Sequence, residues 1–172
     1  MSSPEPITLA AGLPVDRGRF GHWLALIVLV VILDQVSKAW ILATFAPYAK
    51  QEVTGFFNLV LVFNSGAAFS FLAGAGGWQK WFFVVLAFGV SAWLLNLLRA
   101  HAGERLLPAA LALIVGGALG NVIDRLRFDA VVDFIQIHYA GWYFPAFNVA
   151  DSAITVGVGL MLLHQLRYGG EP

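Results

Sequence analysis

Cysteine is absent from all 172 residues. That excludes disulfides and a thiol nucleophile, but it assigns no compartment. Charge is scarce as well. Asp, Glu, Lys and Arg make up 12% of the chain and 59% of it is hydrophobic, against ~25% and ~45–50% in ordinary soluble domains. Too little polar surface remains to coat a water-soluble globule, so the bilayer is the expected solvent. Neither sign of charge is in surplus: ten basic residues balance ten acidic ones, which gives no reason to expect a nucleic-acid partner. The four histidines are scattered and His-Glu-x-x-His does not occur, so neither a metal site nor a cofactor is expected.

What the chain has instead is long apolar runs. A transmembrane helix needs about 17–25 mostly apolar residues. Four stretches qualify: Trp23–Phe45, Trp81–Leu98, Leu106–Ile123 and Phe147–Leu166. Each is expected to be helical, because a lone span must satisfy its own backbone in lipid. The first has a rival reading as a cleaved signal peptide, since Arg17 and Arg19 precede the apolar core Leu24–Leu33. Apolar residues resume after Lys38 and run to Phe45, which favours a span.

Four spans put both termini on one side. The links 46–80 and 124–146 then share the other side. Within them, 51–63 and 127–139 are rich in Val, Ile and Phe and read as strands. The predicted fold is therefore a membrane protein of four transmembrane α-helices, with a small β-sheet on the membrane surface built from about 46–72 and 127–139. Residues 21–168 form its single domain, 1–20 are expected to be a disordered lead, and 169–172 a tail. Gly116 and Gly120, four apart in the third span, are expected to let helices approach closely. Lys and Arg fall five on each side. Discounting Lys38, inside a span, and Arg125, abutting one, leaves a preference for cytoplasmic termini.

Ionisable groups within a span cost ~2.5–3.5 kcal/mol near the bilayer centre, yet several cluster towards one side. Asp34 and Lys38 lie four apart in the first span; Asn121, Asp124 and Arg125 close the third; Asp133 lies in the second strand-like stretch; Asn148 and Asp151 open the fourth span. Each has a structural explanation. Asp34 and Lys38 can neutralise each other, Arg125 can snorkel to the interface, and Asn121 can bond between helices. Asn148 and Asp151 can form a capping box at a helix N-terminus. Two features ask for more. Asp151 lies about 5 Å into its helix, and Asp133 sits in the apolar run Val-Val-Asp-Phe-Ile. The excursion 134–150 between them can bring the two acids face to face. Close carboxylates tend to share one proton, leaving one as a base that activates water and one as an acid that polarises a carbonyl. This spacing is not specific by itself, and neither Asp-Thr-Gly nor Gly-x-Gly-Asp occurs.

Five stretches in order, "LDQVSK" (33–38), "FNSGAAFS" (63–70), "GGALGNVIDR" (116–125), "VVDF" (131–134) and "FNVADS" (147–152), resemble the motifs of the lipoprotein signal peptidases, or signal peptidase II. The resemblance covers about residues 22–166. It implies a four-helix integral membrane aspartic peptidase with a surface β-cradle, in the bacterial inner membrane, with cytoplasmic termini and the active site near the outer face. The implied substrate is a diacylglyceryl-modified prolipoprotein, cut just before its lipidated Cys, and the implied inhibitor is globomycin. By motif, the catalytic acids are Asp133 and Asp151. Asn64, Gly66, Asn121, Asp124, Arg125 and Asn148 fall on positions that orient the substrate or the acids, and Asp34 and Lys38 on a structural or substrate-supporting motif. The resemblance brings no cofactor, and a monomer is expected. Phe128-Asp129-Ala130 departs from the family pattern, and Asp129 adds a charge that could shift the titration of the dyad.

Three other functions compete. Ser65 with Lys38 as base would make a serine peptidase. Asp34, Asp124 and Asp151 could relay protons in a small transporter, although no internal repeat or pair of broken helices is seen. A purely structural membrane protein is the third, and the one-sided cluster of acids weighs against it.

Overall fold

The structure, a computed structural model, describes residues 17–66 and 76–168. It contains four long helices, α1 (Arg17–Thr44), α2 (Trp78–Ala100), α3 (Leu106–Phe128) and α4 (Val149–Tyr168). All four are long and apolar enough to cross a membrane. The shortest has 20 residues and reaches about 30 Å at 1.5 Å per residue, the thickness of bilayer hydrocarbon.

Helix α3 is the axis of the bundle, and α1, α2 and α4 each pack on it. Its Leu107, Leu111, Ala112 and Val115 are buried against Ile27 of α1 and Leu94 and Leu98 of α2. The outer faces are the reverse of a soluble protein. Val28, Leu29, Ile32, Leu33 and Val36 of α1 point outward, as do Val85 and Trp93 of α2 and Leu162 and Leu166 of α4. A continuous apolar exterior of this extent is a lipid-facing surface. Because α1 is packed into the bundle and supplies buried Asp34 and Lys38, it is a structural span rather than a leader peptide.

Close packing rests on small residues, as the Gly-rich stretch predicts. A Cβ on Gly116 would lie 2.8 Å from Val30 Cβ, and one on Gly117 would lie 2.3 Å from the carbonyl oxygen of Ala150. Gly117→Ala should therefore force α3 and α4 apart and cost about 1–3 kcal/mol, the usual penalty of overpacking. Gly89→Ala, where a Cβ meets nothing within 4 Å, should be neutral or slightly stabilising. Thermal unfolding of the two variants in detergent checks the pair.

A four-stranded antiparallel sheet in the order β1-β2-β3-β4 caps one end of the bundle. Its strands are β1 (Lys50–Thr54), β2 (Phe57–Asn64), β3 (Val131–Tyr139) and β4 (Trp142–Tyr143). Ile41 of α1 packs with Leu61, Val132 and Phe134 beneath the sheet. Three sequence expectations change here. The stretch 51–63 is not one strand but a hairpin that turns at Gly55–Phe56. Residues 127–130 are not strand: α3 runs on to Phe128, and Asp129 ends it in the left-handed conformation (φ 61°), its N–H bonding the Arg125 carbonyl. Arg17–Phe20 of the expected disordered lead already belong to α1. Residues 1–16 of that lead, 67–72 of the expected sheet and the tail 169–172 lie outside the described residues. Strand β4 is an addition to the expected sheet. A two-residue turn makes it, with positive φ at both Ala140 (49°) and Gly141 (84°), the geometry that suits the twist of a hairpin.

One irregularity places a functional side chain. Leu59 pairs with Ile135, but the next pair is Val62 with Asp133, so β2 carries one extra residue. A bulge reverses which face the later residues point to. It puts Asn64 on the same face as Asp133, and both Val60 and Leu61 are buried as a result.

Candidate active site

The polar residues singled out in the sequence converge where α1, α3, α4 and β3 meet. The excursion 134–148 returns alongside β3. The Ile135 N–H bonds the Phe147 carbonyl at 2.8 Å and the Phe147 N–H bonds the Ile135 carbonyl at 3.0 Å. This delivers Asn148 beside Asp133 at the start of α4.

Asn148 connects the two acids. Its side-chain amide donates to Asp133 Oδ1 at 2.7 Å, and its backbone N–H donates to Asp151 Oδ2 at 3.3 Å. Its own Oδ1 accepts the Asp151 N–H at 2.8 Å. The capping box is therefore real, and it is also part of the site. Asp151 has a second role beyond capping, because its Oδ1 accepts from Asn121 Nδ2 at 2.8 Å. Asp133 Oδ2 accepts from Asn64 Nδ2 at 3.3 Å. Asn64 in turn accepts the Gly66 N–H on Oδ1 at 3.0 Å, and Arg125 holds the Gly66 carbonyl at 2.9 Å. Arg125 does not snorkel outward: its guanidinium lies over the Phe83 ring, 4.9 Å from the centroid.

Asp133 is only 3% exposed. Burial, then the charge of Asp151, push its carboxyl up to about 7, while donation by Asn64 and Asn148 and the charge of Lys38 oppose the rise. Asp129 has no part in this. It is exposed and forms an ion pair with Lys80, so its charge is met locally.

A second layer lies deeper. The Lys38 ammonium, 2% exposed, contacts Asp34 Oδ2 at 2.8 Å, Asp124 Oδ2 at 2.7 Å and Asn121 Oδ1 at 3.1 Å. Asp34 and Lys38 are thus not a self-sufficient pair; Asp124 shares the cation. Three acceptors fill the three donors of an ammonium, and a charged, fully engaged lysine cannot act as the base for Ser65. Lys38 also settles the orientation of the Asn121 amide. With Oδ1 facing the ammonium, Nδ2 must face Asp151. Asp34 Oδ1 accepts the Ala150 N–H at 2.9 Å, which satisfies an orphan donor at the start of α4. Gly120 is required here, since a Cβ would lie 2.6 Å from Asp34 Oδ2. Asp34 and Asp124, 0% and 1% exposed, are clamped rather than lined up as a proton relay.

Sequence reasoning passes over two members of the site. One is the Val132 peptide: its N–H donates to Asp124 Oδ2 at 3.1 Å and its carbonyl accepts from Asn148 at 3.3 Å. The other is Gln35, whose amide nitrogen reaches Asp124 Oδ1 at 2.9 Å. Its place in an apolar span next to an ionisable residue is the available signal.

Four apolar spans, with a sheet closing over a buried polar layer at one end, define a multi-pass membrane protein with a preorganised polar site. Residues 26–167 match the signal peptidase (SPase) II family, and the chain belongs to that family of peptidases. It is 60% identical over 147 residues to a lipoprotein signal peptidase of Azoarcus sp. (strain BH72), covering 86% of this chain and 84% of the relative. It is 49% identical over 167 residues to one of Paraburkholderia phytofirmans, covering 97% and 94%. A bacterial membrane enzyme solved by the in meso method at 2.3 Å resolution is similar with a TM-score of 0.79 and 35% identity, covering 87% of this chain and 90% of that one. A second, at 1.9 Å resolution, gives 0.71 and 34%, covering 86% and 94%.

Proposed function

We propose that this peptidase is an aspartic endopeptidase that removes the signal peptide from diacylglyceryl-modified prolipoproteins, cutting just before the lipidated Cys. Asp133 and Asp151 form its catalytic dyad. The observation that carries this reading is the Asn148 bridge, which ties both carboxyl groups to one residue. The relatives in Azoarcus and Paraburkholderia are named lipoprotein signal peptidases, which supports the substrate class. The expected setting is the inner membrane, with cytoplasmic termini and the sheet at the outer face. The substrate's signal helix and acyl chains stay in lipid, and only the scissile peptide reaches the site. A single chain supplies both acids, so the unit of activity is a monomer.

Both acids accept a hydrogen bond on each oxygen, Asp151 from Asn121 and Asn148 and Asp133 from Asn148 and Asn64, so burial of Asp133 is what separates them. Asp133, buried beside the charge of Asp151, carries the shared proton. In the reaction Asp151 takes a proton from a water held between the two acids, and the water oxygen attacks the carbonyl carbon. The Asp133 proton passes to the carbonyl oxygen, giving a tetrahedral diol. As the C–N bond breaks, Asp151 returns its proton to the leaving amine and Asp133 recovers one from the diol. Arg125 Nε has no hydrogen-bond partner among the described residues and is a donor available to a substrate carbonyl.

The test is cleavage of a diacylated prolipoprotein followed by gel shift, with the unmodified precursor alongside. Release of the signal peptide from the diacylated form alone is expected; equal cleavage of both would reject the substrate class. The same assay run against pH should show the rate falling as pH rises through about 7, where Asp133 loses its proton. A flat profile from pH 4 to 9 contradicts a shared proton.

A further inference from the structure

We propose that Gln35 is a positioning residue for the dyad, holding Asp124 in the orientation that pins the Val132 peptide and thereby Asp133. This rests on the dyad reading above.

The buried layer contains two carboxylates, Asp34 and Asp124, around one ammonium, Lys38. Two buried carboxyl groups share a single cation there, and each buried polar oxygen needs a hydrogen-bond partner. Gln35 supplies the missing donation. Its Nε2 lies 3.2 Å from Asp34 Oδ2, 2.9 Å from Asp124 Oδ1 and 3.2 Å from the Gly120 carbonyl. All three neighbours are acceptors, so only the nitrogen can face them and the amide orientation is unambiguous.

The consequence lies in how Asp124 spends its two oxygens. Gln35 takes Oδ1, which leaves Oδ2 to accept both the Lys38 ammonium and the Val132 N–H. The Val132 peptide is then held on both sides, by Asp124 of α3 at its N–H and by Asn148, just before α4, at its carbonyl. The next residue is Asp133. Without Gln35, Asp124 Oδ1 has no donor facing it among the described residues. The carboxylate can then turn both oxygens to Lys38 and release the Val132 N–H. Asp133 keeps Asn64 and Asn148 as direct partners, but the backbone that aims it slackens. The other charged groups around the cluster are Arg125 of α3 and the dyad acids; the acids donate nothing in their ionised form, and the Arg125 guanidinium is turned to the Gly66 and Asn121 carbonyls and the Phe83 ring.

Gln35→Met keeps the length of the side chain and removes its donors. Cleavage of the diacylated prolipoprotein, normalised to folded enzyme by size exclusion, is expected to show kcat lowered about tenfold, KM within about twofold, and a displaced alkaline limb of the pH profile. A role in stability alone would reduce the amount of folded enzyme and leave kcat, KM and the pH profile of what remains unchanged. That result, or parental kcat, overturns the proposal. Gln35→Glu provides a second route should the Met variant not fold. Its carboxyl can donate only when protonated, so its deficit relative to the parent should shrink as pH falls; a deficit independent of pH, or none, counts against positioning. Asp133→Asn is run in parallel. If it cleaves at the parental rate, the dyad reading fails. If it is inactive while both Gln35 variants behave as the parent, this inference alone is wrong.

Discussion

Asp133→Asn is expected to abolish cleavage while leaving a folded, membrane-inserted protein. The substitution is isosteric. The introduced amide can still accept from Asn148 through its oxygen, at the position of the present 2.7 Å contact, while its NH₂ faces the Asn64 amide, whose present contact is the longer one at 3.3 Å. What disappears is a proton that can be given and regained, and losing one general acid or base typically costs about 10²–10⁴-fold in rate, enough to remove a visible product band in a gel shift. Asp151→Asn should be equally inactive but less stable. Asp151 accepts Asn121 on Oδ1 and the Asn148 N–H on Oδ2. An amide offers one oxygen and one NH₂, so one of those donors would face another donor. Loss of that half of the capping box adds about 1 kcal/mol. Thermal unfolding alongside the cleavage assay separates the two effects. An unfolding temperature nearer the parent's than that of Asp151→Asn, with no activity, is the clean result for Asp133→Asn.

Lys38→Met is the second large effect, and it should appear first as instability. The ammonium is buried and shared by Asp34, Asp124 and Asn121. Removing one partner from a buried charge cluster costs about 3–5 kcal/mol, because the remaining charges are left uncompensated. Two carboxylates would remain, with only the Gln35 amide between them. Each also does structural work elsewhere, Asp34 at the Ala150 N–H and Asp124 at the Val132 N–H, so the start of α4 and the start of β3 should both loosen. Asn121 Oδ1 would keep only the 3.3 Å contact with the Asn148 amide, so the residue that donates to Asp151 should be held less firmly. Lower yield of folded protein, a depressed unfolding temperature and no cleavage by the surviving fraction are expected. Parental stability would mean that the cluster is not held by Lys38.

The bundle is legible in the sequence because hydrophobicity is a one-dimensional signal. Runs such as Leu24–Leu33 need no partner to declare themselves, and all four spans emerge, although α1 starts earlier, at Arg17, and α3 ends later, at Phe128, than the apolar runs suggest. The proposed dyad is legible for the opposite reason: Asp133 and Asp151 are polar residues where lipid penalises polarity. Features that depend on pairing are hidden. The bulge between Leu59 and Val62 lies in Leu-Val-Leu-Val, where no residue marks an insertion. The end of α3 reads too early because Arg127, Phe128 and Asp129 alternate as a strand would, while the helix continues on backbone bonds and stops in a left-handed Asp129. Gln35 is uncharged and adjacent to Asp34, so the acid masks the amide beside it. The departure at Asp129 suggests an influence on the dyad that the ion pair with Lys80 removes.

The central claim is that Asp133 holds a proton at pH values where an ordinary carboxyl has lost it. Infrared difference spectroscopy of the folded protein against Asp133→Asn, titrated from pH 4 to 9, measures this directly. A protonated-carboxyl band that is lost near pH 7 and is missing from the variant is the predicted result. A native protein with no such band above about pH 5, the range of ordinary carboxyls, would contradict the account.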